Sequence, residues 1–396
     1  LALAIIFFVV FQTFYRVQSQ DGTLFSSSGL YYEYASNIMN GQMPYRDFGL
    51  EYPPLSLLFF ILPRLLADSW LFYSYFFQIE VLICACLGLW ITYRIAQRTG
   101  QSPWKLMAPY TLAIVAIGPI TGQQYDIFPA IMLLGSLYFF WQGKHKTSWV
   151  LMTLGVLTKL FPAVLAPLYL IIYLRERRFR TLAEGVISAA LVCLVVLLPF
   201  LVTGPDNLMS LVTYHTARGL QVESTYSSFL LLGNSLGFNL AEMEFNYGSW
   251  NLNGTAAHIL ASFSSGFQLV VLLLCYWYIW TRLRPGRIQI AELNSFALLL
   301  ISALLFTSKI LSPQYIIWLL PVIALAATRW RFTVWGVFVA ACLMTYFIFP
   351  VYYTELLNQN VVLIMILGLR NILLLLLGLL AVVSIQKLHN SSAGPS

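Results

Sequence analysis

The sequence predicts an all-α polytopic membrane protein, and three observations carry that reading. Of its 396 residues, 59% are hydrophobic and only 9% are charged. Apolar runs of helical length recur along the chain with short polar stretches between them. Most of the 22 basic residues gather in those stretches: Arg94, Arg98 and Lys105; Lys144 and Lys146; Arg175, Arg177, Arg178 and Arg180; Arg282, Arg284 and Arg287; Arg329 and Arg331; Lys387. Such clusters mark cytoplasmic loops. The net charge of +7 therefore reports topology rather than a nucleic-acid partner.

Anchored on these clusters, the spans follow in order. The run at residues 1–15 is short for the roughly 20 residues a crossing needs and reads as the tail of a first helix. Residues 16–69 form a first outer segment, and 70–93 return to the cytoplasmic Arg94–Lys105 loop. Runs at 104–120, 126–141, 149–158, 161–174 and 182–201 alternate outward and inward, and residues 203–256 form a second long outer segment. Crossings begin near Ala257, Ile290, Tyr315 and Phe332, and a last span at 361–384 leads to a cytoplasmic tail at 385–396. The total is about 11–13 spans in a single membrane domain covering the chain. Residues 54–67 resist a full crossing, because that would put Arg94 and Arg98 outside; an interfacial or dipping helix satisfies the charge rule.

The acidic residues sort to the other face. Asp21, Glu33, Asp47, Glu51, Asp68, Asp126, Asp206, Glu223, Glu242, Glu244 and Glu355 fall outside or at outer helix ends, whereas Glu80 is embedded in a span. Glu80 is expected to hydrogen-bond a neighbouring helix. In the first outer segment, residues 29–39 have one apolar face and end at Asn40-Gly41, a helix stop. Pro53-Pro54 then opens the next apolar helix. The stretch YRDFGLEYPP (residues 45–54) is thus a connector between two helices at the outer membrane surface.

Several chemistries find no support in the motifs. The sequence has no G-x-x-x-x-G-K, no strand-linked G-x-G-x-x-G and no H-E-x-x-H. The five cysteines, Cys84, Cys86, Cys193, Cys275 and Cys342, sit in apolar runs without metal-site spacing. What remains is a set of carboxylates and cations at one face: Asp47 and Glu51 in the connector, Asp126 at a span start, Lys159 in TKLFP, Lys309 in TSKILSPQY, and His215 and Arg218 in the second outer segment. A carboxylate accepts the proton of an attacking hydroxyl, and cations steady a phosphate that is bound or leaving. Group transfer from a lipid phosphate needs both and no nucleotide site. Plainer roles compete: Lys159 and Lys309 snorkelling to the interface, Asp47 pairing with Arg46 or capping a turn, and His215 as a solvated loop residue.

The stretch NGQMPYRDFGLEYPPLSLLFFILP resembles the first-loop signature of the polyprenol-phosphate-mannose-dependent mannosyltransferases, glycosyltransferase family 87 of the GT-C superfamily. GQQYDIFPAIML, GVLTKLFPAVLAPLYL, NYGSWNL and SKILSPQYIIWLLP follow in order, so the resemblance runs from about Gly29 to Pro321. It implies a GT-C fold whose long first outer loop carries membrane-surface helices. It further implies transfer of a sugar, mannose in that family, with inversion, from a polyprenyl phosphate donor to a glycolipid or glycan acceptor. No cofactor, metal or nucleic acid is implied. A first-loop carboxylate acts as base, which maps onto Asp47 or Glu51. Lys159 and Lys309 map onto the phosphate side, and Arg46, Tyr52, Asp126, Arg218 and Gln314 onto substrate binding. The family commonly carries an Asp just before the first-loop helix; here Ser26, Ser27 and Ser28 stand there, and Asp21 is the nearest upstream carboxylate. The expected location is the cytoplasmic membrane of a bacterium, with the active face outward. A transporter or lipid-linked-sugar flippase is the competing reading; it predicts related halves and polar groups at the bilayer midplane.

Overall fold

The structure is a computed structural model; it describes residues 27–203, 213–284, 288–326 and 331–391, together with 209 and 286. Asp21 lies outside the described residues. Packing divides the chain into two compact units, residues 1–163 with 179–216, and residues 164–178 with 217–396. Among the described residues, six helices are long and apolar enough to cross a membrane, and five shorter apolar helices accompany them. The chain is a helical, multi-pass integral membrane protein.

The described part of the first unit begins with α1 (Ser27–Met39) and α2 (Ser56–Leu66). The predicted stop at Gly41 closes α1, with the Gly41 amide on the Ile38 carbonyl at 2.9 Å and the Gln42 amide on Asn37 at 3.0 Å. That pair of bonds satisfies carbonyls a helix end leaves orphaned. The 11 residues of α2 reach about 16 Å, well short of the roughly 30 Å of a hydrocarbon core. A full crossing is beyond it. Then come α3 (Trp70–Thr99), α4 (Trp104–Ile117), α5 (Pro119–Gln123), α6 (Ile127–Trp141) and α7 (His145–Thr158). After α8 (Leu165–Arg175), which belongs to the second unit, α9 (Phe179–Thr203) returns to the first. Helix α3 begins at the Ser69 cap and runs past Arg94 and Arg98 to Thr99, six residues beyond the apolar run, where Gly100 caps it. Hydropathy marks where lipid ends, whereas the hydrogen-bond ladder continues until a glycine stops it. Helix α6 is buried on almost every side and packs on α3 and α7. Ser136 and Ser148 bond reciprocally across α6 and α7, hydroxyl to carbonyl, at 2.9 and 2.8 Å. Glu80 of α3 does not meet its expectation: neither carboxylate oxygen has a hydrogen-bond partner among the described residues.

The second unit is built on α11 (Thr255–Arg282), α12 (Ile290–Thr307), α14 (Arg331–Tyr346) and α16 (Val361–Ser391), with the short α13 (Leu320–Ile323) and α15 (Tyr353–Leu357) between them. Helix α12 is its most enclosed span and packs on α11 and α16. The all-helical reading omitted one element. Strands β1 (Leu220–Gln221), β2 (Glu242–Asn246) and β3 (Ser249–Asn253) form an antiparallel sheet of order β1-β3-β2. Its hairpin turns at Tyr247-Gly248, with φ of 49° and 67°. Positive φ at both central residues is the tight turn whose twist suits paired strands. Between β1 and β2, α10 (Thr225–Ser235) packs on α16. Leu220, Val222, Leu231, Leu252, Ile364 and Leu367 join sheet, α10 and α16 into one apolar core.

Candidate functional site

In the first unit the connector is held from both ends. Tyr45 enters it with φ of 68°, a region disfavoured for a residue with a Cβ. Its amide bonds to the Phe48 carbonyl at 3.0 Å. At the far end the Leu55 amide donates to Leu157 at 2.9 Å, two residues before Lys159. Aromatic rings fill the space between. Tyr31 stacks on Phe60 with centroids 4.3 Å apart, and Tyr52 meets Tyr125 edge-on at 5.0 Å. Such pairs add about 0.5–1.5 kcal/mol each beyond their buried area. The sequence-predicted residues Tyr52, Asp126 and Lys159 are thereby gathered around one aromatic cluster.

Asp47 and Glu51 are equipped for different work. The Arg46 guanidinium grips both Asp47 oxygens at 2.9 Å each, and the Met43 amide donates to Oδ2 at 2.7 Å. Arg46 and then Met43 hold the Asp47 carboxyl down at about 2. A carboxylate so committed is a weak base. Glu51 is half-buried and accepts a hydrogen bond from the Tyr214 phenol at Oε2, while His215 Nε2 lies 3.2 Å from its backbone carbonyl. Sequence reasoning left His215 as a solvated loop residue and did not single out Tyr214. Their distance in sequence from the connector hides the contact. Burial pushes the Tyr31 and Tyr52 phenols well up, and the charges of Asp126 and Glu51 respectively add to it. Both rings stay protonated donors.

Asp126 and Lys159 form a buried ion pair. Lys159 Nζ donates to Oδ1 at 2.6 Å, with the two side chains 12% and 0% exposed. The ammonium also lies 4.6 Å from the Tyr125 ring centroid. Its charge is already balanced, and it points inward rather than to an interface. Gln124, read only as part of its motif, accepts from Tyr31 at 3.0 Å and donates to Ser27 at 2.7 Å.

The second unit gathers cations. Arg218 Nη2 donates to Ser249 Oγ at 2.7 Å, and Lys309 Nζ donates to the Arg218 carbonyl at 2.6 Å. The Gln221 amide bonds the Lys309 carbonyl at 3.0 Å, and Ser312 Oγ donates to Gln221 at 3.1 Å. Burial and then the Arg218 charge pull the Lys309 ammonium below its usual range. The two cations lie in one unit and their charges act on each other. Gln314 stands in the turn Pro313–Leu319 that follows. Among the described residues no group of three or more His, Cys, Asp or Glu is placed to hold a metal ion.

No curated protein matches the chain. It is similar to the crystal structure of ArnT from Cupriavidus metallidurans bound to undecaprenyl phosphate, with 16% identity and a TM-score of 0.45 over 87% of this chain and 69% of that one. The model of glycosyltransferase family 87 matches residues 50–313. That stretch contains Glu51, Asp126, Lys159, Arg218 and Lys309, and it is well over half of the sequence. The chain is a membrane glycosyltransferase and belongs to glycosyltransferase family 87.

Proposed function

We propose that the enzyme transfers a sugar, mannose by its resemblance, from a polyprenyl phosphate to a hydroxyl of a glycolipid or glycan acceptor, with inversion at the anomeric carbon. Glu51 is the base. The observation that carries this choice is that Glu51 is met only by neutral phenols, those of Tyr214 and Tyr52, among the contacts of its carboxylate described above, against an Asp47 gripped at both oxygens by the Arg46 cation and bonded by the Met43 amide. As Glu51 takes the acceptor proton, the acceptor oxygen bonds to the anomeric carbon. The bond from that carbon to the phosphate oxygen breaks, and its electron pair stays with the polyprenyl phosphate. The donor phosphodiester, singly charged, becomes a monoester that carries up to two charges. Arg218 and Lys309 are assigned to that growing charge, where preorganised donors help most. Lys159, neutralised by Asp126, is assigned to positioning the connector and the Tyr125 ring.

The test uses purified enzyme in liposomes with radiolabelled mannosyl phosphoryl polyprenol and a lipid extract from the source. Label should move into a new glycolipid. Glu51→Gln should lower turnover by about 100-fold or more, the scale of a lost general base. Full turnover by that variant would remove Glu51 from the mechanism. Transfer from another lipid-linked sugar but not from mannose would correct the donor.

A further inference from the structure

The sequence places one arginine, Arg370, within an otherwise apolar run, and the function above does not use it. It lies in α16, whose span runs Val361–Asn390. It stands nine residues, about 14 Å, into that span, well inside its apolar run. An ionisable group at that depth is costly and calls for a named partner. The partner is Glu223. Arg370 Nη2 donates to the Glu223 carbonyl at 3.0 Å, and Asn371 Nδ2 reaches the same carbonyl at 3.3 Å and Ser228 Oγ at 2.9 Å. Glu223 is 1% exposed and Arg370 is 3% exposed. Yet both carboxylate oxygens of Glu223 lack a hydrogen-bond partner among the described residues. The carboxylate is therefore not a structural ion pair closed by hydrogen bonds. It is a buried charge held near two guanidinium groups, Arg370 and Arg218, whose charges both act on it.

We propose that Glu223 is a positioning residue: a buried counter-charge, anchored to α16 through Arg370, that acts through Arg218 to set how strongly the pair of Arg218 and Lys309 holds an anionic phosphate. The inference rests on the assignment of those two cations to the donor phosphate. Ionised, Glu223 cancels part of the positive potential at Arg218 and weakens the grip on the anion. Protonated, it leaves that potential intact. Burial raises its carboxyl to about 7, against the downward pull of Arg370 and Arg218. The charge therefore turns over near neutral pH. Burial and then the Arg218 charge also lower the Lys309 ammonium, so the test has to separate Glu223 from Lys309. Tyr353 of α15 is held protonated by burial and by Glu223 itself. Such a counter-charge serves turnover, because the product monoester carries more charge than the donor and must still leave.

The test measures binding of a short prenyl methyl phosphate, a diester whose single charge does not titrate, to the full-length protein in nanodiscs at pH 6 and pH 8. The wild type should bind roughly three- to tenfold more weakly at pH 8, the scale of one nearby charge in a partly solvated site. Glu223→Gln should bind at pH 8 as tightly as the wild type does at pH 6, with no pH difference. Lys309→Gln should bind more weakly at both values yet keep the difference, which separates Glu223 from Lys309. A wild type with no pH difference overturns the inference. So does a folded Glu223→Gln that keeps the difference, or a Lys309→Gln that loses it. Arg218→Gln should lose binding at both values. If the wild type binds no diester, or Arg218→Gln binds as the wild type does, the phosphate assignment itself fails and takes the inference with it.

Discussion

Two carboxylates four residues apart on one connector show how surroundings decide a role. Asp47 sits under an arginine fork and a backbone amide. Its carboxyl is depressed, so its stabilising effect is complete above the ordinary carboxylate range and is lost as pH falls toward about 2. It does not titrate anywhere the enzyme works. Asp47→Asn should therefore lower turnover only a few-fold without shifting the pH profile, while the Met43 amide exchanges hydrogen faster. Loss of all turnover in that variant would return Asp47 to the role of base. The buried pair makes a second residue-level prediction. Asp126→Asn strands the Lys159 ammonium at a 12% exposed site and should cost about 3–5 kcal/mol in unfolding. The double variant Asp126→Asn with Lys159→Met should recover much of that, because no buried charge is left alone. Thermal unfolding in detergent compares the three. Adjacent Arg46 and Asp47 made their pairing legible in the sequence. The contacts of Tyr214 with Glu51 and of Lys159 with Asp126 join residues 163 and 33 positions apart, and no local pattern encodes them.

Helices were legible wherever length and apolarity agreed. The runs read at 104–120, 126–141 and 161–174 correspond to helices that differ by a few residues at their ends, and the run at 361–384 to a helix that continues seven residues further, to Ser391. The sheet was not legible, because its strands are short and only one face of the hairpin is apolar. Its signal was the two-residue turn in NYGSW, which was read as a motif and not as a hairpin. That turn is testable. Gly248 has φ of 67°, where a β-branched residue is strained, so Gly248→Val should destabilise by about 1–2 kcal/mol. Tyr247 has φ of 49°, a region that Asn tolerates better than most residues. Tyr247→Asn should thus leave stability unchanged or raise it slightly. Equal losses from both substitutions would mean that packing, not backbone conformation, governs the hairpin. Close approach rather than φ constrains Gly185 of α9: a Cβ there would fall 2.3 Å from the Trp149 indole of α7. Gly185→Leu should separate those helices, and adding Trp149→Ala should restore part of the lost stability.

At the scale of the molecule, charge placement fixed the order of spans, but nothing in composition announced that the spans pack as two units. The second unit takes residues 164–178 out of the middle of the first, and the apolar pattern runs on unchanged through that exchange. Orientation is a separate question, and within each unit the sequence makes a definite claim about it. By the charge rule, Lys144 of the first unit is expected on the cytoplasmic side and Asp47 on the outer side; in the second, Arg177 is expected inside and Tyr247 outside. Single-cysteine variants decide each claim. The five native cysteines all lie within spans, out of reach of a membrane-impermeant maleimide, so no cysteine-free background is required. In intact cells stripped of outer barriers, Asp47→Cys and Tyr247→Cys should label at once. Lys144→Cys and Arg177→Cys should label only after permeabilisation. The reverse pattern in either unit would put its candidate residues on the cytoplasmic face, where the donor phosphate would have to be met from the opposite leaflet. Equal labelling of both members of a pair would mean that an odd number of crossings does not separate them. For Asp47 and Lys144 the span count would then be revised first at the shorter apolar helices between them, α4 and α6.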